Sequence, residues 1–156
     1  MCTSISKNAD GLIFGRNMDI DYSFGECAVN TPRSFPLAFR TGITLEKHYA
    51  FAGTAVVTDN FPLYAEAMNE NGLYIAALKF PENAFYNETE IKGKINLAPY
   101  EIIPFILAKC RNLNEVRALL SEIEIIALPF SDNMPLSPLH WHIADKNGSL
   151  VLEKTA

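Results

Sequence analysis

The N-terminal third of the chain carries the pattern of β-strands, with apolar and polar residues set between turn signals. Thr3 to Lys7 and Leu12 to Asn17 flank the turn Asn8-Ala9-Asp10-Gly11. Asp-Gly marks a hairpin, because glycine adopts positive φ without a steric penalty. Pairing back across so short a turn brings the end of the second strand beside the start of the first, so Arg16 is expected next to Cys2. Two further hairpins follow the same logic. Tyr64 to Met68 and Leu73 to Leu78 flank Asn69-Glu70-Asn71-Gly72, and Leu139 to Ala144 and Ser149 to Glu153 flank Asp145-Lys146-Asn147-Gly148. Tyr49 to Val57, rich in β-formers and small residues, is a further strand.

Between these hairpins the period changes. Pro99 suits a first helical turn, and Ile102, Ile103, Phe105, Ile106 and Leu107 recur with helical spacing. Pro104 is expected to kink or delay that helix. A second helix is predicted over Asn114 to Ile123, capped by Asn114, with Val116, Leu119, Leu120 and Ile123 as its apolar face. Helices set between antiparallel hairpins predict an α+β fold with helices packed on a sheet face. Pro129 to Pro138 reads as a polar, proline-bearing loop. Val151-Leu152-Glu153 reads as a strand with no following segment to cover or pair it, which is a pairing liability. The expectation is a fragment, or a chain that relies on a partner.

Composition narrows the class. With 156 residues, 49% hydrophobic and 20% charged, the chain can form a single domain (1–156) with a substantial core. A net charge of −5 with scattered Lys and Arg argues against a nucleic-acid surface. No apolar run reaches membrane-spanning length, and the polar start (Ser4, Ser6, Lys7, Asn8, Asp10) is unlike a signal peptide, so the expected location is cytoplasmic. The cysteines Cys2, Cys27 and Cys110 are odd in number and form no C-x-x-C pair, which suggests neither a disulfide framework nor a zinc site. Cys110 reads as a small buried apolar residue, and Cys27 has no assigned role. His140 and His142 flank Trp141 and share one face of a strand. With no further ligands indicated they read as structural or solvent-facing, and neither metal nor cofactor is expected.

The candidate chemistry begins at Met1-Cys2-Thr3. A small residue after the initiator lets Met1 be removed, leaving Cys2 with both a thiol nucleophile and a free α-amine. Their ordinary pKa values, about 8.5 and about 7.7–8.0, let both exchange protons near neutral pH. This is a nucleophile–base pair within one residue. Arg16 beside the thiol would favour thiolate, and Asp19 could hold the α-amine facing it. Alone, Arg16 and Asp19 would read as a surface ion pair worth under about 1 kcal/mol; paired with an exposed N-terminal Cys2 across a hairpin, the functional reading is the better one. Tyr22, Phe24, Phe61, Tyr64, Phe80 and Phe85 could line an apolar pocket or pack the core, and Tyr22 and Phe24 are the first choice for substrate contacts.

Met1-Cys2-Thr3, Gly11-Leu12 and Phe14-Gly15-Arg16-Asn17-Met18-Asp19 together resemble the opening of the choloylglycine hydrolase family, the N-terminal-nucleophile hydrolases that include bile salt hydrolases and penicillin V acylases. The likeness continues in order through Asn30-Thr31-Pro32-Arg33, Ala67-Met68-Asn69-Glu70-Asn71-Gly72-Leu73, Phe80-Pro81 and Leu139-His140-Trp141. The resemblance implies an αββα sandwich, here only its N-terminal half, and hydrolysis of a linear amide through a thioester. It implies Cys2 as nucleophile and base, Arg16 assisting the thiol and Asp19 holding the amine. The bile salt hydrolase branch is the nearest in pattern, with glycine- or taurine-conjugated bile acids as substrates. Penicillin V acylase-like or N-acyl-lactone cleavage, and a non-catalytic binding module, are the alternatives. Lys79 stands where bile salt hydrolases carry an Asn that helps stabilise the oxyanion, so Lys79 is an oxyanion or substrate-contact candidate. The family's later oxyanion Asn and catalytic Arg have no counterpart in these residues, which implies weak or absent turnover. The family also suggests a homo-oligomer, or a second half supplied separately.

Overall fold

The structure, a computed structural model, describes residues 2–156. In chain order the elements are β1 (Thr3–Ala9), β2 (Gly11–Asn17), β3 (Cys27–Thr31), β4 (Leu37–Ala38), β5 (Thr44–Leu45), β6 (Phe51–Thr58), β7 (Phe61–Asn69), β8 (Tyr74–Lys79), β9 (Ile95–Leu97), α1 (Ile102–Lys109), α2 (Leu113–Leu120), β10 (Ile123–Ile125), β11 (Leu139–Asp145) and β12 (Gly148–Leu152). Six strands form one antiparallel sheet in the order β12-β11-β8-β7-β6-β3. Side chains alternate across it. Ile75, Ala77, Trp141 and Ile143 face the helices and join Ile102, Phe105, Ile106 and Val116 in the core. Tyr74 and His142 point the other way, where β1 and β2 lie as a two-stranded sheet of their own. Helices, large sheet and small sheet thus stack in the α, β, β order of the expected sandwich. The outward side of the small sheet leaves Ile5 and Ile13 exposed.

All three expected hairpins form. The first turns at Asp10, with Ala9 opposite Gly11. A fourth joins β6 to β7 through Asp59 and Asn60, both at positive φ (50° and 58°), the conformation that tight hairpin turns favour. Two residues tolerant of left-handed backbone mark it, and no glycine does. The predicted strand at Tyr49 begins instead at Phe51. A bulge opposite Thr54 and Ala55 leaves Ala65 unpaired, and β7 lies close against Gly53.

The helices meet one expectation and differ from the sequence reading in two ways. Pro104 is the third residue of α1, within the first turn, where backbone N–H groups have no partner four residues back, so the proline removes no helical hydrogen bond. A single 3₁₀ turn at Pro99–Glu101 precedes it, which is the delay expected of Pro104. The second helix is capped by Asn112 rather than Asn114: Asn112 is extended, and its side chain accepts from the amides of Asn114 and Glu115. Ile123 is not helical. It starts β10, which pairs in parallel with β9 and buries Ile123 and Ile125 with a two-residue period. β4, β5, β9 and β10, two or three residues long, carry too little period to be recognised, and the five-residue β3 escapes the sequence reading with them. At the chain end β12 is an edge strand, paired to β11 on one side, with Val151 exposed.

Candidate active site

The hairpin β1–β2 determines the site. Its register sets Thr3 opposite Asn17 and Ser4 opposite Arg16, which brings the Arg16 side chain to Cys2, the residue before β1. Arg16 Nη2 lies 3.8 Å from Cys2 Sγ and donates to the carbonyl of Ala77 on β8 at 2.7 Å. The same guanidinium therefore touches the thiol and anchors itself to the large sheet. Its Nε and Nη1 are buried and have no hydrogen-bond partner among the described residues, so donors remain for another group.

Asp19 follows β2 at an exposed position. Its carboxyl is held below its ordinary value by a positively charged hydrogen-bond donor. Met1, whose removal the sequence reading requires, lies outside the described residues.

Cys2, Arg16 and Lys79 open onto one cavity of about 560 Å³. Tyr22 and Phe24, edge to face with centroids 4.8 Å apart, stand at its side. Tyr64, Tyr100, Phe130 and Trp141 supply further aromatic wall. Of the other aromatics considered from sequence, Phe61 packs against Phe39, Tyr100 and Phe130, Phe80 stacks on His140 with centroids 4.6 Å apart, and Phe85 is exposed outside the cavity. The sequence reading missed Tyr100 and the segment from Leu128 to Leu139. That segment reads as polar because of its prolines, but Leu128, Phe130, Met134 and Leu136 all line the cavity. Their apolar character was the available signal.

The remaining cysteines differ. Cys110 is buried, and burial, aided by Glu115, pushes its thiol up to about 12, where it is inert. Cys27 is exposed on β3. His140 meets Glu153 at 3.2 Å, and His142 meets Ser4 and Ser6.

Two of the resembling motifs are structural ties. Arg33 grips Glu70 through Nε and Nη2, and the Ala50 amide donates to the same carboxylate at 2.9 Å. Those contacts pull the Glu70 carboxyl down to about 2. Asn69, 3% exposed, donates to the carbonyls of Leu107 and Cys110 at the end of α1 and accepts from the amides of Asn71 and Leu73. It fastens the helix to the β7–β8 turn.

Residues 2–156 match the model of the family described as linear amide C–N hydrolases, choloylglycine hydrolase family. The chain is 40% identical over 153 residues to a bile salt hydrolase/transferase of Lactiplantibacillus plantarum, covering 98% of this chain and 47% of the relative. It is 38% identical over 159 residues to a bile salt hydrolase/transferase of Clostridium perfringens, covering 99% of this chain and 48% of that one. It superposes on a cysteine-to-alanine mutant of conjugated bile acid hydrolase from Clostridium perfringens with TM-score 0.93 and 36% identity, over 99% of this chain and 48% of that chain. Penicillin V acylase from Agrobacterium tumefaciens shares the fold, with TM-score 0.73 and 18% identity over 99% of this chain and 46% of that one. The chain spans about half the length of the curated relatives it matches. Its architecture is that of the N-terminal-nucleophile hydrolases, and the chain belongs to the choloylglycine hydrolase family.

Proposed function

We propose that this chain carries the nucleophile half of a cysteine-type amide hydrolase acting on glycine- or taurine-conjugated bile acids. The observation that supports it is the Arg16 guanidinium 3.8 Å from Cys2 Sγ at the mouth of an aromatic-walled cavity. With Met1 removed, the Cys2 α-amine takes the thiol proton and Arg16 stabilises the thiolate. Sulfur attacks the amide carbon and the carbonyl becomes an oxyanion. Lys79, on the cavity wall, is the cation available to that oxyanion or to the substrate's own negative charge. Collapse breaks the C–N bond, and the amine leaves with the proton held by the α-ammonium. Water, deprotonated by the α-amine, then cleaves the thioester to free the acid and restore the thiol. Asp19 keeps the amine oriented. Tyr22 and Phe24 contact the apolar acyl part.

Turnover by residues 1–156 alone is weak or absent, because the chain spans about half of its relatives. The test joins intact mass with hydrolysis. The expected mass is that of the chain without Met1, and the expected substrates are taurine and glycine conjugates ahead of penicillin V or an N-acyl lactone. Retained Met1 would end the reading, since the α-amine would no longer belong to Cys2. Preference for penicillin V would move the chain to the acylase branch.

A further inference from the structure

His142 is a departure from the apolar run expected between two sheets. It sits on β11 between Trp141 and Ile143, both fully buried in the helix-side core, and its own ring projects to the opposite face. There Nδ1 meets Ser4 Oγ at 2.8 Å and Nε2 meets Ser6 Oγ at 3.4 Å. The Phe14 ring, on β2, lies 4.9 Å from it. The small sheet β1–β2 is separate from the six-stranded sheet, so its seating depends on side-chain ties. Those ties are the His142–serine pair, the Arg16 bond to the Ala77 carbonyl, and the stacking of Phe14 on Tyr74 at 3.7 Å.

We propose that His142 is a positioning residue: its neutral imidazole latches the Cys2-bearing hairpin through Ser4 and Ser6, and protonation releases the latch. The inference rests on the reading of Cys2 as nucleophile only for its consequence; the latch itself is independent of it. A neutral imidazole has one N–H donor and one nitrogen acceptor, and a hydroxyl can take either role. One serine accepts from the ring while the other donates to it, so both ring nitrogens are satisfied. A proton on the ring makes both nitrogens donors, which the serine hydroxyls can still accept, but it sets a charge between the two sheets, where burial disfavours it and undocking of the hairpin would hydrate it. The surroundings oppose that proton. Arg16 lies on β2 opposite Ser4, and His140 is on the same strand, itself paired with Glu153 of the chain beyond β12. Tyr74 on β8 has its hydroxyl tied to Glu66 on β7. Burial, with His140 adding to it, holds the His142 ring below the ordinary histidine value. The latch is therefore closed at neutral pH and opens in acid.

The test uses the full chain and reads hydrogen exchange of β1 and β2 amides, corrected for intrinsic pH dependence, together with alkylation of Cys2 by iodoacetamide. Exposed Cys27, separated by peptide mapping, is the internal reference. At pH 7, His142→Phe keeps the ring stack but loses both serine bonds, and the Ser4→Ala, Ser6→Ala double variant loses them from the other side. Each should lower β1–β2 protection by about tenfold, the size of one to two ordinary hydrogen bonds. His142→Gln retains a donor and an acceptor that do not titrate. It should keep protection at pH 7 and remove the loss of protection that the parent shows between pH 6.5 and 4.5. The emission of Trp141 reports whether each variant is folded, and the serine variants, altered on the hairpin alone, serve if the His142 variants are not. Unchanged protection in the serine variants overturns the proposal, as does an acid response in His142→Gln equal to the parent's. Retained Met1 or absent hydrolysis would count against the proposed function and leave these exchange readouts to decide the latch.

Discussion

Replacing Asn69 by Asp changes one atom type at a buried position and should cost about 2–6 kcal/mol at pH 7. The amide nitrogen of Asn69 donates to the carbonyls of Leu107, at 3.0 Å, and Cys110, at 2.7 Å. Its oxygen accepts from the amides of Asn71, at 3.0 Å, and Leu73, at 3.1 Å. The Asp variant preserves the accepting side. On the donating side it sets a carboxylate oxygen against two carbonyl oxygens. Two hydrogen bonds are lost, and each carbonyl left without its donor costs about 1–3 kcal/mol of unmet desolvation, about 2–6 kcal/mol together. The sum rivals the whole stability of a small domain, about 5–15 kcal/mol. The variant also carries a diagnostic sign. Burial and facing carbonyls favour its protonated form, so the folded state binds the proton more tightly than the unfolded state does. Stability of the variant relative to the parent should therefore recover as pH falls, when the carboxyl regains one O–H donor. Urea titrations followed by the one tryptophan, Trp141, which is fully buried, measure the difference at pH 7 and pH 4.5. A cost below about 1 kcal/mol at pH 7, or a cost that does not shrink in acid, would refute the role of Asn69 as the helix-to-turn fastening.

Other changes give sharp expectations. Arg16→Met removes a charge 3.8 Å from Cys2 Sγ, an interaction of about 1 kcal/mol in water and about 4 kcal/mol at an intermediate dielectric, so Cys2 alkylation at pH 7 should slow by about tenfold while Cys27 is unaffected. Equal rates at Cys2 in parent and variant would remove Arg16 from the site's electrostatics. Gly53→Ala places a Cβ 2.1 Å from the Glu66 carbonyl oxygen and 2.5 Å from Ala67 Cα, backbone atoms that cannot swing aside, and should destabilise by about 3 kcal/mol or more in the same urea assay. Glu70, whose carboxyl is drawn down to about 2 by Arg33 and the Ala50 amide, contributes stability that is present above the ordinary glutamate value and lost as pH falls toward 2. Glu70→Gln should accordingly lose less of its urea midpoint than the parent between pH 6 and pH 3; an identical acid loss would show that the pair does not couple to folding.

Much of the site was readable because it is local. The ten residues from Asn8 to Asn17 contain a hairpin turn and its return strand, and antiparallel register alone carries Arg16 back to Cys2. The motif at Asn69 to Leu73 was readable as a turn, but not as a helix anchor, since its partners Leu107 and Cys110 lie on α1 and only packing brings them there. Asn114 was mistaken for the helix cap because Asn112 and Asn114 are chemically equal and only backbone conformation separates them: Asn112 is extended and so can turn its side chain onto the following amides. Ile123 continued an apolar helical spacing until parallel pairing with Ile95 claimed it for a strand.

Sequence by itself determined the candidate nucleophile, the neighbouring guanidinium and the family, since these rest on covalent order and short-range pairing. Tertiary structure decided what surrounds them. Ala77 becomes the anchor of Arg16, Tyr100 and Phe130 become cavity wall, and His142 becomes a partner of Ser4 and Ser6, through contacts spanning 61 to 138 positions of chain, or in the case of the cavity through walls gathered from separate elements. Loop closure over such separations costs entropy that only burial of the shared core can offset, so no local pattern announces which distant residues will meet.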